Sequence, residues 1–271
     1  MSSSREPLSA ESIRAALAHV PFVREVVYLP SVESTNDAAR DLGETGAPQA
    51  TLVVADDQTA GRGRLGRSWY MPPLSALAMS LLVRPDLAAS RANRLTMLAG
   101  LAAAEGVEQA TWLPVKLKWP NDIVTMNDEC GMMKVLKMGG ILCESAFVGD
   151  RIDYAVVGIG LNVNVDFADQ PGLADTATSV VLQVGHAVDR LPVLAAVIER
   201  FAVRFGELNS DSLRAAWAQR LVTLGRRAEA RVGDAVWIGL AEAVDGDGAL
   251  LLRTDDGALH RLLAADVTLR T

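Results

Sequence analysis

The stretch TLVVADDQTAGRGRLGRSW, residues 51–69, carries the strongest structural signal in this sequence. Its first five residues are rich in β-branched and apolar side chains and predict a strand over 51–55. In the segment that follows (58–69), arginines alternate with glycines: Arg62, Arg64, Arg67, Gly61, Gly63 and Gly66. Glycines let the backbone approach a ligand, and guanidinium groups donate paired hydrogen bonds to phosphate oxygens. The loop is therefore typical of a phosphate-binding segment.

Two other interpretations of this loop are possible, a dinucleotide-binding loop and a solvated surface loop. Gly61, Gly63 and Gly66 match G-x-G-x-x-G after a strand, which is the dinucleotide-binding pattern. That pattern should open a helix, whereas Pro72 and Pro73 follow closely here, so the context argues against it. A solvated surface loop remains an alternative, because exposed Arg/Gly turns are common.

The composition indicates a globular protein with one large domain and a small one. The chain has 271 residues, half of them hydrophobic, and a net charge of −7, which argues against a general nucleic-acid binder. Neither a signal peptide nor a membrane span is expected, because the apolar runs are only strand-sized. Two cysteines, Cys130 and Cys143, predict neither a disulfide framework nor a zinc site, and they favour the reducing cytoplasm.

The segment patterns predict an α+β domain over 1–224 and a small all-β module over 225–271. Helices are expected at about 9–20, 35–42, 91–106 and 191–224, and strands over 23–29, 51–55, 76–83, 115–119, 140–148 and 154–165. Ser34 is the expected N-cap of the second helix, and Gly43 its stop. From Arg227 onward, short alternating segments separated by glycines are typical of a small β-barrel.

Three further clusters lie where predicted strands end or bend. They are Lys118-Trp119-Pro120-Asn121-Asp122, then Lys137 with Gly139 and Gly140, then Gly158 with Gly160 and Asn162. Each has an ordinary structural interpretation, namely a strand-to-turn junction, a β-bulge with a solvated lysine, and a bend. Strand ends also present reactive groups on rigid scaffolds, so both interpretations stay open for each cluster alone.

The order of these clusters along the chain is more specific than any one of them. Ser34-Thr35-Asn36, the loop from Gln58 to Trp69, Lys118 to Asp122, Lys137-x-Gly-Gly and Gly158-x-Gly-x-Asn162 together resemble the catalytic domain of biotin protein ligases. Ala177-Thr178-Ser179 resembles a later segment of that family, and the terminal module is similar to its SH3-like domain. The resemblance implies a class II synthetase-like mixed sheet with helices, followed by an SH3-like β-barrel.

The resemblance also implies an activity. Members of the family join biotin to ATP, with Mg²⁺, as biotinyl-5′-adenylate, and then transfer biotin to a lysine of the biotin carboxyl carrier domain of acyl-CoA carboxylases. Attack of a carboxylate on a phosphate brings two anions together, so the enzyme must supply positioning and positive charge rather than a nucleophile. This agrees with a sequence that has several basic residues but no readable Ser-His-Asp set.

By analogy with the family, each cluster residue has an expected role. Arg62, Arg64 and Lys137 would act on the carboxylate and α-phosphate, and Asp122 would orient the acceptor lysine or take its proton. The expected biotin contacts are Ser34, Thr35, Asn36, Gln58, Gly61, Arg62, Gly63, Arg64, Lys137 and Gly140. The expected ATP or adenylate contacts are Arg64, Arg67, Trp69, Lys118, Asn121 and Asn162. A structural core role for Trp69 is an open alternative, and no metal site of the protein itself is expected.

Two departures from the family pattern bear on these expectations. The connection from Asp122 to Lys137 is longer than a short hairpin, so Lys134 competes with Lys137. The two glycines after Lys137 favour it, and an extended hairpin with its tip at 127–129 would absorb the extra length. Only 22 residues precede the first predicted strand, too few for a three-helix DNA-binding domain. We therefore expect a ligase without repressor function, and no DNA or membrane partner.

Two other functions fit parts of the same sequence pattern. A lipoate or octanoate ligase is similar in fold and also adenylates an acid, but the Gly-Arg-Gly-Arg loop and Lys-Trp-Pro-Asn-Asp favour biotin. A nucleotide sensor without turnover is disfavoured, because the lysines and Asp122 are present. We also expect the loop over 58–69 to become ordered when the adenylate binds.

Overall fold

The structure, a computed structural model that describes residues 6–129 and 132–270, contains two β-sheets and seven α-helices within those ranges. The strands of the first sheet are β1 (Glu25–Leu29), β2 (Thr51–Ala55), β3 (Ala76–Val83), β4 (Lys116–Lys118), β5 (Asp122–Glu129), β6 (Met132–Val148) and β7 (Arg151–Asn162). Those of the second are β8 (Arg227–Val232), β9 (Ala235–Val244), β10 (Leu250–Thr254), β11 (Leu259–Leu262) and β12 (Asp266–Leu269). The helices are α1 (Ala10–Ala16), α2 (Thr35–Glu44), α3 (Asn93–Thr111), α4 (Pro171–Ala174), α5 (Val180–Val184), α6 (Arg190–Phe205) and α7 (Asp211–Arg220).

The first sheet is mixed, with the strand order β1-β2-β3-β7-β6-β5-β4. Only its β1–β2 pair is parallel among the described strands, so the fold is α+β rather than a βαβ repeat. Every residue of the central strand β3 is buried. Helices α3 and α6 pack closely together, because Gly106 has no side chain: a Cβ there would lie 2.5 Å from the Val197 backbone.

The second sheet is antiparallel, with the order β11-β10-β9-β8-β12. The Trp119 side chain is almost fully buried, and its Nε1–H donates to the carbonyl of Gly248, between β9 and β10, at 2.9 Å. The Trp119 backbone N–H donates to the Thr223 hydroxyl at 2.9 Å. The end of β4 and the start of the site are thereby tied to the C-terminal sheet.

The expected strands are present with shifted ends, while two details of the sequence interpretation are wrong. Helix α2 continues through Gly43 to Glu44, because this glycine serves packing: a Cβ would lie 2.8 Å from the Tyr154 ring. The helical pattern expected over 191–224 corresponds to α6 and α7. Residues 127–129 pair with 132–134 instead of forming a hairpin tip, and Cys130 lies outside the described residues. Among the described helices, none is both long and apolar enough to cross a membrane.

Candidate active site

A cavity of about 870 Å³ opens on one face of the first sheet and gathers the predicted site residues. All of them except Gly61 line it, and Gly61 is buried just behind, beside Gln58 and Trp69. Lys137 lines the cavity, whereas Lys134 is not among its lining residues. The walls also include residues 265–268, so the C-terminal sheet contributes to the same cavity.

The arginine-glycine loop is a small irregular hairpin. The Trp69 N–H donates to the Gly61 carbonyl at 2.9 Å, and the Gly63 N–H donates to the Arg67 carbonyl at 2.7 Å. Leu65 and Gly66 turn the chain with φ values of 57° and 73°. The helical part of this loop is the three-residue 3₁₀ turn Arg64–Gly66, and residues 67–73 form no helix after Gly66. The loop therefore does not fit the dinucleotide-binding pattern, as the prolines predicted.

A group of uncharged polar side chains forms one end of the cavity. Ser34, Thr35 and Asn36 begin helix α2 and are buried. The Gln58 Oε1 accepts from the Thr35 N–H at 2.8 Å and lies 3.1 Å from the Thr35 hydroxyl. Although Ser34 occupies the N-cap position, its side chain makes no capping hydrogen bond. Such a group suits a neutral ligand with donors and acceptors.

Two polar residues that the sequence analysis did not identify, Ser80 and Glu144, form hydrogen bonds with this group. The Ser80 hydroxyl lies 2.8 Å from the Thr35 Oγ1 and 2.7 Å from the Asn36 Oδ1. The Asn36 Nδ2 donates to the Glu144 carboxylate at 2.7 Å. Ser80 could have been noticed as the one polar residue of an otherwise apolar strand, whereas Glu144 lies in a strand that also contains lysines and a serine, so nothing in the sequence marks it.

The two glycines of β7 make room for side chains that lie on the sheet. A Cβ on Gly158 would lie 2.2 Å from the Asn36 Oδ1, and one on Gly160 would lie 3.0 Å from two ring carbons of Trp69. The sequence alone allowed either a bend or a close contact, and the structure shows the close contact. These glycines form the floor of the cavity.

Lys137 and Asp122 form an ion pair within the cavity, with 2.6 Å between Nζ and Oδ1. The ammonium also lies 5.9 Å from the centroid of the Trp69 ring. The Lys137 backbone is held on its other side, because its N–H donates to the Thr176 carbonyl at 2.9 Å and its carbonyl accepts from the Thr178 N–H at 2.8 Å. Thr176 and Thr178, the latter within the Ala177-Thr178-Ser179 segment, thus position the Lys137 backbone.

The loop arginines have different partners. Arg62 forms ion pairs with Asp37 at 2.6 Å and with Glu144 at 3.5 Å. Arg67 pairs with Asp266 of the C-terminal sheet. These contacts join the loop to helix α2 on one side and to strand β12 on the other.

Arg64 and Lys118 are the more buried cations of the site. The Arg64 guanidinium donates to the Asn121 Oδ1 at 3.2 Å, and burial lowers its pKa. Burial also lowers the pKa of Lys118, against the opposing effect of Asp122. Positive charge held in a partly desolvated place interacts strongly with an arriving anion.

Two buried polar atoms in the cavity wall, the Trp69 Nε1 and the Asn162 Oδ1, have no hydrogen-bond partner among the described residues. One is a donor and the other an acceptor, so a bound ligand could satisfy both. No group of three or more His, Cys, Asp or Glu side chains in the described part of the chain is arranged to hold a metal ion.

Family models match two parts of the chain. The model described as the biotin/lipoate A/B protein ligase family matches residues 28–162, and the biotin protein ligase C-terminal domain matches 223–270. The bifunctional ligase/repressor BirA of Bacillus subtilis is 34% identical over 268 residues, with 97% of this chain and 79% of the relative covered. The biotin--[acetyl-CoA-carboxylase] ligase of Paracoccus denitrificans is 35% identical over 237 residues, with coverages of 84% and 94%.

Solved structures agree with these relatives. The Aquifex aeolicus biotin protein ligase in complex with biotin and ATP superposes with a TM-score of 0.73 at 28% identity, covering 91% of this chain and 99% of that one. The Leishmania major enzyme in complex with biotinyl-5-AMP gives a TM-score of 0.58 at 26% identity, with coverages of 89% and 99%.

Proposed function

This chain belongs to the biotin protein ligase family, and from this premise we propose that it adenylates biotin with ATP and transfers the biotinyl group to a lysine of a biotin carboxyl carrier domain. The observation that carries the proposal is the meeting of two chemistries in one cavity. An uncharged polar end at Thr35 and Gln58 suits the ureido ring, and a cationic loop beside it suits a carboxylate and phosphates.

In the first half-reaction, a biotin carboxylate oxygen attacks the α-phosphorus of ATP and pyrophosphate leaves. Arg62 and Arg64 would hold the carboxylate and the α-phosphate against their mutual repulsion, and Lys137 would stabilise the negative charge that develops on the phosphoryl oxygens. Arg67 and Lys118 would face the departing pyrophosphate. Mg²⁺ would enter with ATP as part of the substrate, with Asn121 near the phosphates.

In the second half-reaction, the amine of the acceptor lysine attacks the biotinyl carbonyl carbon, and AMP leaves with the electrons of the broken C–O bond. The amine must first lose its proton. Asp122 would orient that amine or accept the proton, since the carboxylate lies at the cavity wall beside Lys137. Trp69 and Asn162, with their unpartnered buried atoms, would contact the adenylate.

We place the division between a catalytic unit and a C-terminal unit near residue 224, which the separate matches to 28–162 and 223–270 support. The reaction consumes ATP, so we assign it to the cytoplasm. The proposal contains neither a DNA partner nor a membrane partner.

The proposal is tested by pyrophosphate release from the full chain with ATP and biotin, lipoate or octanoate, followed by transfer of labelled biotin to an isolated carrier domain. Release with biotin and labelling of the carrier are expected. Release only with lipoate or octanoate would establish the alternative ligase activity, and no release with any acid would exclude an adenylating enzyme.

A further inference from the structure

Arg190 is a buried cation at the base of the segment that carries the arginine-glycine loop. It is the first residue of α6. Its guanidinium donates to the Asp56 carboxylate at 2.7 Å and to the Ala76 carbonyl at 3.2 Å. Asp56 directly follows β2, and Ala76 is the first residue of β3. One side chain therefore holds both ends of the segment 57–75, which contains Gln58 and the whole loop.

The N-terminal segment 6–8 supplies two of the remaining partners of this ion pair. The Asp56 Oδ2 accepts from the Leu8 N–H at 3.0 Å and from the Tyr28 hydroxyl at 2.6 Å. The other terminal nitrogen of Arg190 donates to the Glu6 carbonyl at 2.7 Å. The side chains of Asp56 and Arg190 are only 3% and 1% exposed, so water cannot replace a lost partner. Each hydrogen bond to these buried charges therefore matters for their position.

The position of Asp56 determines where Gln58 lies, because only one residue separates them. Gln58 in turn accepts from the Thr35 N–H at 2.8 Å in the cavity wall. At the other end of the segment, the Leu74 N–H donates to the Asp56 carbonyl at 3.0 Å, so the chain leaves and returns at the same place. A shift of about 1 Å at this base would move Gln58 and the loop by a similar amount, and a misplacement of that size can cost about 100-fold in rate.

We propose that Arg190 is a positioning residue for adenylation, and that the backbone of residues 6–8 holds it and Asp56 in place. The inference rests on the proposed function, because Gln58 and the loop arginines are the groups expected to contact biotin and ATP. Neither Arg190 nor Asp56 lines the cavity, so both act on the reaction through the geometry of the segment 57–75. The N-terminal segment, 48 residues before Asp56 at Leu8, thereby contributes to the site without touching a ligand.

The test is the Leu8→Pro variant of the full chain, which lacks the N–H that donates to Asp56. Residues 6–9 are not helical, so a proline at position 8 does not interrupt a helix. Pyrophosphate release is measured at a temperature at which circular dichroism shows the variant to be folded. The kcat/KM for biotin should fall about tenfold, the effect of losing one hydrogen bond to a buried charge, with a lower kcat as well as a higher KM.

Leu8→Ala is the matched control. It keeps the backbone N–H but removes most of a side chain that is buried. It should lower the melting temperature, because apolar surface is no longer buried, while kcat and KM stay at their wild-type values. The comparison separates the position of the ion pair from the stability of the fold.

Limited trypsin digestion provides a second readout, because Arg62, Arg64 and Arg67 are cleavage sites within the loop. Mass spectrometry of the fragments should show faster cleavage at these sites in Leu8→Pro than in the wild type, and no change in Leu8→Ala. If Leu8→Pro does not fold, Tyr28→Phe takes its place. It removes the other donor to the same carboxylate oxygen and should change the kinetics and the cleavage in the same direction.

A folded Leu8→Pro or Tyr28→Phe variant with wild-type kcat, KM and loop cleavage would overturn the inference. An equal kinetic loss in Leu8→Ala would also overturn it, since that variant keeps the hydrogen bond. Both results are distinct from a failure of the proposed function, in which the wild-type chain itself would release no pyrophosphate with biotin.

Discussion

The substitution Gly158→Ala tests the floor of the cavity directly. The added methyl would lie 2.2 Å from the Asn36 Oδ1, whereas ordinary contacts begin at 3.4 Å, so the two groups must separate by 1.2 Å. The Asn36 side chain cannot move away without a cost in free energy, because it forms hydrogen bonds of 2.7 Å with Ser80 and with Glu144. Such a displacement takes at least one of these bonds beyond hydrogen-bonding range.

The magnitude follows from two contributions. Overpacking of a close-packed interior costs about 1–3 kcal/mol. Each lost hydrogen bond adds about 0.5–1.5 kcal/mol. We therefore expect the free energy of unfolding to fall by about 2–4 kcal/mol and the KM for biotin to rise at least tenfold, since Asn36 adjoins Thr35.

Urea denaturation and pyrophosphate release measure these two effects. Gly246→Ala is the control, because a Cβ there has nothing within 4 Å. Gly160→Ala provides a contrast, since its methyl would press on Trp69 and should raise the KM for ATP rather than for biotin. The reasoning is refuted if Gly158→Ala unfolds like the wild type and binds biotin normally.

Three further predictions concern charge. Asp56→Ala leaves Arg190, its buried partner at 2.7 Å, without a counter-ion, and should lower the free energy of unfolding by about 3–5 kcal/mol in urea; a loss below 1 kcal/mol would contradict this. Lys137→Met should slow adenylate formation about 10²–10³-fold in a single-turnover assay, while Lys134→Met should not; equal rates would remove the assignment. Burial and a hydrogen bond to Asp56 raise the pKa of Tyr28 from 10.0 to about 12. Its protonated form therefore stabilises the folded state below pH 10, and this stability is lost as the pH rises to 12. Tyr28→Phe should flatten that part of the pH–stability curve, and an unchanged slope would count against it.

The strands and the main site could be predicted from sequence because their signals are local. Strand β2 and its loop form one continuous pattern, and each of the ordered clusters through Asn162 contributes residues to the lining of the cavity. The glycines of β7 were harder to interpret, since a local pattern cannot tell a bend from a close contact. Their function depends on Asn36 and Trp69, which lie about 90–120 residues earlier in the chain.

The ion-pair partners of the cations were beyond prediction for the same reason. Arg67 and Asp266 are 199 residues apart, and Arg62 and Glu144 are 82 apart. Sequence patterns indicated many cations in one loop, but they carried no information on which carboxylates would face them. Ser80 was missed because a single polar residue in an apolar strand has no periodic signal, and Glu144 because its strand contains several polar residues, none of which reveals a distant partner.

The paired state of Arg62, Arg67 and Lys137 has a consequence for how the site discriminates among anions. Each of these cations already lies beside a carboxylate of the protein. An arriving anion must therefore displace a carboxylate that belongs to the same chain and is always present. Ligand entry is thus an exchange of counter-ions, in which old ion pairs break as new ones form. Free phosphate or RNA would gain little from such an exchange, and the affinity of the true ligand should depend only weakly on salt. Because of these carboxylates, ion pairing alone contributes little net binding free energy. A ligand binds tightly only when it also makes contacts that bulk anions cannot make.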